Sequence, residues 1–179
     1  MRIRIATKAD LDLLYEIGSK TFIETYGHQN TPENLKKYLE EKFNKTQILN
    51  EIQTPQTIFL LVELENKVIG YSKMRVNLVE NIDENTLEIE RIYISKTYHG
   101  QKYGACLMQK CIDVALENNY TSLWLGVWEH NPKAIEFYQK WSFEIFGKHI
   151  FQLGDDAQTD FLMKKHLHNL YECLEKVNL

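Results

Sequence analysis

Two stretches of this sequence combine residue types and spacings that could carry chemistry. In the first, Tyr98-His99-Gly100-Gln101-Lys102-Tyr103-Gly104-Ala105, small residues stand between an alternating apolar run and a helical one. Successive backbone N–H groups at such a strand-to-helix turn face outward beside the positive helix end, and glycines let an anion approach the main chain. The stretch reads as an anion cradle or as a plain glycine turn. It has neither the Gly-x-Gly-x-x-Gly spacing of a dinucleotide site nor the Gly-Lys-Ser/Thr ending of a P-loop. The second stretch, Asn131-Pro132-Lys133-Ala134-Ile135-Glu136-Phe137-Tyr138-Gln139-Lys140-Trp141-Ser142-Phe143, opens on a helix-starting Asn-Pro pair. The other reactive types form no pattern of their own. Cys106 and Cys111 fall at core spacing behind the loop with no His/Asp partner pattern, and the histidines, at 28, 99, 130, 149, 166 and 168, include no His-Glu-x-x-His, so no metal is expected.

The elements that must hold these stretches follow from the hydrophobic period. After a short first strand, Thr7 and Asp10 form a capping pair before a helix carrying Leu11, Leu14, Ile17 and Phe22 and ending near Tyr26-Gly27. Thr31-Pro32-Glu33 starts a second helix through Leu35, Tyr38, Leu39 and Phe43, and a short one is expected around Ile48 to Ile52. The period then changes: Ile58 to Val62 and Val68 to Val76 form an antiparallel hairpin, with a polar loop from Glu80 to Asn85 behind it. Leu87 to Ile94 alternates, which sends Leu87, Ile89 and Arg91 to one face and Glu88, Glu90 and Ile92 to the other. A helix through Leu107, Met108, Cys111, Ile112 and Ala115, a buried strand Leu123 to Val127, and a helix from Asn131 to Trp141 come next. Strands at about Glu144 to Leu153 and Gln158 to Lys165 flank the turn Gly154-Asp155-Asp156, and the tail beyond His166 is expected to be an amphipathic helix.

Composition narrows the class. The chain has 179 residues, 44% of them hydrophobic and 26% charged, so one folded unit can bury a core without disulfides or a structural metal. Its formal charge of -4 with no long Lys/Arg block argues against nucleic acid or anionic membrane as a partner and suits a cationic one. No segment reaches the ~20 apolar residues of a membrane span. The 3 cysteines contain no Cys-x-x-Cys, which points to reduced thiols and a cytoplasmic setting.

Taken together, the two stretches and the order of elements resemble the GNAT superfamily of acetyl-CoA-dependent N-acetyltransferases, from Ile3 to about His166. More narrowly, Thr21-Phe22-Ile23-Glu24-Thr25-Tyr26 and Glu88 to Ile94 resemble the PaiA-type polyamine acetyltransferases. The resemblance implies an α/β (α+β) fold: a mixed, mostly antiparallel central sheet of about seven strands flanked by helices, with a splayed central parallel pair formed by Leu87 to Ile94 and Leu123 to Val127. It implies a single acetyltransferase domain over 1–166 with a helical tail over 167–179, present as a monomer or homodimer. The family's pyrophosphate loop, Arg/Gln-x-x-Gly-x-Gly/Ala, corresponds to His99-Gly100-Gln101-Lys102-Tyr103-Gly104. Here His99 replaces the Arg or Gln and Lys102 the middle glycine. Acetyl-CoA contacts are thereby implied for Ile92, Tyr93, Ile94, His99, Gly100, Gln101, Lys102, Tyr103, Gly104, Ala105, Cys106, Asn131, Ala134, Tyr138 and Lys140. The family's Lys-x-Gly-Phe appears as Lys140-Trp141-Ser142-Phe143, which loses the glycine turn at the helix end.

The resemblance also implies roles. Tyr138 is expected to meet the departing CoA thiolate as a proton donor, its alternative being a half-buried packing tyrosine. A neutral amine must attack the thioester, so a group near the acceptor has to collect a proton; Glu90 is the candidate, and the alternatives are a structural ion pair for Glu90 and a water wire for the proton. Glu24, Tyr26, Glu90 and Glu129 are expected to face the acceptor, a small primary amine with spermidine or spermine preferred. Rival readings are an amino acid, antibiotic or protein amine as acceptor, or a CoA-binding regulatory module without turnover.

Overall fold

The computed structural model describes residues 1–28, 30–77, 85–153 and 156–167. Its elements run β1 Arg2–Ile5, α1 Leu11–Tyr26, α2 Pro32–Lys42, α3 Lys45–Gln53, β2 Thr57–Leu64, β3 Lys67–Arg75, β4 Thr86–Ile94, α4 Tyr103–Glu117, β5 Ser122–Trp128, α5 Pro132–Lys140, β6 Glu144–Leu153 and β7 Asp156–His166. The expected tail helix, the turn at Gly154-Asp155 and most of the Glu80 to Asn85 loop fall outside the described residues.

Helix starts form where the sequence places capping side chains. Thr7 and Asp10 make a reciprocal capping box on the 3-10 turn Lys8–Asp10 that leads into α1, and Arg4 clasps Asp10 with two hydrogen bonds of 2.9 and 2.6 Å. Thr31 and Asn131 each accept from the backbone N–H three residues on, and a proline follows each of them at a position that needs no N–H donor.

Among the described residues the strands form one 7-stranded sheet in the order β1-β2-β3-β4-β5-β7-β6. All neighbouring pairs are antiparallel except β4 with β5. Each face of the sheet buries its own core. Leu107, Met108, Cys111, Ile112 and Ala115 of α4 pack with Leu60, Val62, Leu87, Ile89, Leu123 and Leu125 on one side. Leu14, Ile17 and Phe22 of α1 pack with Phe43, Ile48, Phe59, Leu61 and Tyr71 on the other. Burial of this kind is worth roughly 1.5–3 kcal/mol per large apolar side chain, which is why the period-2 and period-3.6 patterns predict the elements well.

Two features of the central pair create an opening. The parallel ladder holds only at Thr86 with Ser122, Leu87 with Leu123 and Glu88 with Trp124. Beyond that point β4 and β5 part, leaving the β5-facing edge of Ile89 to Ile94 without a ladder partner. In addition, β4 carries one extra residue against β3: Lys73 pairs with Arg91 but Met74 pairs with Ile89, so Glu90 is a bulge. The bulge corrects the alternation read from sequence. Leu87 and Ile89 share the α4 face with Ile92 and Ile94, while Arg91 lies over the Phe43 ring on the opposite face, 4.7 Å from its centroid.

Candidate active site

The anion cradle sits where β4 hands over to α4. Gly100 has φ +76°, and a side chain added there would meet nothing within 4 Å, so the main chain at that point is open. Lys102 replaces a glycine yet adopts φ 66°, the left-handed conformation a glycine would supply. The loop therefore keeps the turn at a cost of roughly 1–2 kcal/mol. Lys102 precedes the first turn of α4, whose early N–H groups have no intrahelical acceptors. The arrangement suits a pyrophosphate, held by N–H groups and the positive helix end. Gly104 lies beside the sheet, and a Cβ there would make an ordinary contact of 3.9 Å with Ile94 Cγ1.

The flanking side chains are tied to the frame. His99 Nε2 donates to the Ile94 carbonyl at 2.7 Å, which places a proton on that nitrogen. Glu24, expected at the acceptor, accepts from the Lys96 N–H at 2.7 Å and from the Ser95 hydroxyl at 3.2 Å, and so anchors the turn leading into the cradle. Cys106 is exposed on the first turn of α4, which corrects its assignment to the core; Cys111 is buried, its thiol pushed up to about 12 by burial. Lys140, expected at CoA, is exposed and paired with Glu136 at 2.7 Å. Ala134 is half-buried against the α4-side core.

Tyr138 is held by the end of its helix. Ser142 takes φ 62° and donates its N–H to Gln139 O at 2.9 Å, and Phe143 N–H donates to Tyr138 O at 3.1 Å. These are the two bonds of a Schellman ending, completed by the contact of the Phe143 and Tyr138 rings at 6.0 Å. The glycine turn expected to be lost at Ser142 is thus retained by a serine in the glycine conformation, and it bonds the carbonyl of Tyr138 itself. Ser142→Gly should relieve the left-handed strain. The expected result is a gain of about 1 kcal/mol, or about 2–4 °C in Tm. A lowered Tm would mean that the serine side chain supports the turn.

A tyrosine cluster borders the opening. Tyr93, on the open stretch of β4, donates its hydroxyl to Tyr26 at the end of α1. Burial pushes the Tyr138 hydroxyl well above its ordinary value, and the nearby Tyr26 adds to the effect, so Tyr138 stays protonated at neutral pH. Glu90 lies at the bulge with its carboxylate 2.6 Å from Lys73, 3.0 Å from Arg75 and 3.4 Å from Arg91. The same cations reach Glu51 and Glu88, making a network of six alternating charges.

Sequence reasoning missed two groups beside the opening, Asp160 of β7 and His149 of β6, which pair in register. A side chain at Gly126 would sit 3.3 Å from His149 Cε1 and 3.5 Å from Asp160 Oδ2. Glu129 lies near enough to act on Asp160 electrostatically. The available signal was a lone carboxylate in phase with Leu162 on a buried strand.

The profile described as "Acetyltransferase (GNAT) family" matches residues 11–143, well over half of the chain. The chain belongs to the GNAT acetyltransferase family. This GNAT protein is 39% identical over 169 residues, 93% of its length and 98% of the relative's, to an uncharacterized N-acetyltransferase in the pepI 3' region of Lactobacillus delbrueckii subsp. lactis. It is 25% identical over 169 residues to the spermidine N(1)-acetyltransferase of Thermoplasma acidophilum, covering 92% of this chain and 96% of that one. Its fold matches the crystal structure of the PaiA N-acetyltransferase of T. acidophilum in complex with coenzyme A, with a TM-score of 0.75 and 24% identity over 93% of this chain and 99% of that one. Among the described residues no helix is long and apolar enough to cross a membrane, and no three His, Cys, Asp or Glu side chains gather to hold a metal.

Proposed function

We propose that this GNAT protein acetylates a primary amine of a small cationic molecule, spermidine or spermine in preference to others, using acetyl-CoA in a direct transfer. One observation carries the reading: β4 and β5 separate beyond Glu88 and Trp124, on the strand that leads into the open anion cradle. The half-buried Tyr138, which stays protonated, supports it. The separated edge of Ile92 to Ile94 offers backbone groups to the amides of the pantetheine arm, as a sheet edge accepts an added strand. The 25% identical spermidine acetyltransferase and the net charge of -4 support a polyamine acceptor.

In the reaction a neutral amine nitrogen bonds to the thioester carbonyl carbon as the carbon–sulfur bond breaks. Tyr138 gives its hydroxyl proton to the departing sulfur and regains one from solvent, while the amine sheds its surplus proton to Glu90 or to a water chain. An alkylammonium with a pKa near 10.4 must first lose a proton to attack, so kcat/KM should rise from pH 6 toward pH 9. Glu90→Gln should depress the acidic limb most if Glu90 collects the proton; an unaltered profile would assign that proton to water and leave Glu90 to its ion pairs.

The test is a panel of spermidine, spermine, butylamine, an amino acid and a peptide N-terminus with acetyl-CoA, followed by thiol release. Higher kcat/KM for the amino acid or peptide would overturn the polyamine claim. Thermal stabilisation by acetyl-CoA with no thiol release from any amine would instead indicate a binding module. At ~100 times its dissociation constant a ligand adds about 2.7 kcal/mol of stability, so a melt unmoved by millimolar acetyl-CoA would remove the reading altogether.

A further inference from the structure

The polyamine reading leaves open which side chain would recognise a second positive charge, and most acids around the opening are already committed. Glu51, Glu88 and Glu90 share Lys73, Arg75 and Arg91, and Glu24 holds the Lys96 N–H. Asp160 is different. It is half-buried, and among the described residues no group hydrogen-bonds to its carboxylate or ion-pairs with it. It pairs in register with Trp128 at the end of β5 and with His149.

Its position is set by the strand pattern. Leu125 and Val127 point into the α4-side core, so Trp124, Gly126 and Trp128 face the other way, toward the α1 side. Gly126 is the second residue past the last β4–β5 pair, it is exposed, and a Cβ there would come within 3.5 Å of Asp160 Oδ2. The carboxylate therefore stands beside the mouth of the opening, on the face opposite the cradle helix. The titratable groups that act on it are Tyr26 from α1, His149 from β6 and Glu129 beyond β5. Burial pushes its carboxyl upward, His149 offsets part of this, and Glu129 adds to it. A carboxylate removed from water without a partner gains more from an ammonium than a solvated one does.

We propose that Asp160 seats a second ammonium of the acceptor, so that amines with another positive charge a few methylenes from the attacking nitrogen are selected over monoamines. This rests on the acetyltransferase reading above. The neutral nitrogen enters the opening while the distal ammonium meets Asp160, with Glu129 adding negative potential. The absence of a side chain at Gly126 keeps a Cβ out of the space bordered by His149 Cε1 and Asp160 Oδ2.

The experiment compares spermidine with butylamine as acceptors for the wild-type protein, Asp160→Asn and Asp160→Glu, with the acetyl-CoA melting shift as a measure of folding and cofactor binding. In Asp160→Asn the KM for spermidine should rise roughly 10- to 100-fold, and that for butylamine about twofold or less. Asp160→Glu keeps the charge and should keep most of the spermidine preference. An unchanged preference in Asp160→Asn, or an equal loss for both amines with the melting shift intact, overturns the inference. If Asp160→Asn does not fold, Asp160→Glu decides in its place, by raising salt: spermidine KM should climb with salt in Asp160→Glu and wild type while butylamine KM stays level, and a level spermidine KM overturns the inference. A wild-type protein that releases no thiol with either amine fails the reading beneath it, a result distinct from any of these.

Discussion

Tyr138→Phe is expected to lower kcat on the order of 10²-fold while leaving acetyl-CoA binding nearly unchanged. The substitution removes one hydroxyl and keeps the ring that packs on Phe137 and Phe143, with centroids 5.5 and 6.0 Å away. The Schellman bonds run through the backbone of Tyr138, so they survive. What disappears is a half-buried proton donor that the protein holds in its neutral form. Thiol release under saturating acetyl-CoA and amine measures the effect, and the acetyl-CoA melting shift serves as the binding control. Wild-type kcat in this variant would reassign Tyr138 to packing.

The largest stability effect should come from Glu51, far from Glu90 in sequence but joined to it through shared cations. Glu51 accepts both guanidinium N–H groups of Arg91 at 3.0 and 3.1 Å and lies 2.9 Å from Lys73, with all three side chains buried. Removing one member of such a group leaves the others charged and uncompensated, so Glu51→Ala should cost about 3–5 kcal/mol in urea unfolding. Pairing it with Arg91→Met should cost less than the sum of the single changes, because the orphaned charge is then removed as well. A purely additive result would show that the two side chains do not interact.

The same group sets a pH dependence. Desolvation favours the neutral acid, but Arg91 and then Lys73 outweigh it and hold Glu51 below its ordinary 4.5. A carboxyl depressed in the folded state contributes stability that is fully present above the unfolded value and is lost as pH falls through the folded one. Unfolding free energy should therefore hold steady above about pH 5 and decline below 4.5, with a weaker decline in Glu51→Gln.

Much of this protein was determined by sequence alone, because the signals are local. Thr31-Pro32 and Asn131-Pro132 fix where helices start, since their side chains and missing donors act within one turn. The strand runs and the α4 run bury the residues their periods assign to the core, and Gly100 opens the cradle as its type requires. Other features were decided only when the chain was folded. The bulge at Glu90 turns Arg91 to the opposite face, and a two-residue period cannot register one residue left unpaired against the neighbouring strand. Ser142 accepts a left-handed angle because two backbone hydrogen bonds fix its turn, and Lys102 takes one ahead of α4; the sequence reads the first as a lost glycine turn and the second as a replaced glycine. The approach of Asp160 and His149 to Gly126 is likewise tertiary: β7 inserts between β5 and β6, so the last hairpin is set beside β5 through a strand order that no local pattern encodes.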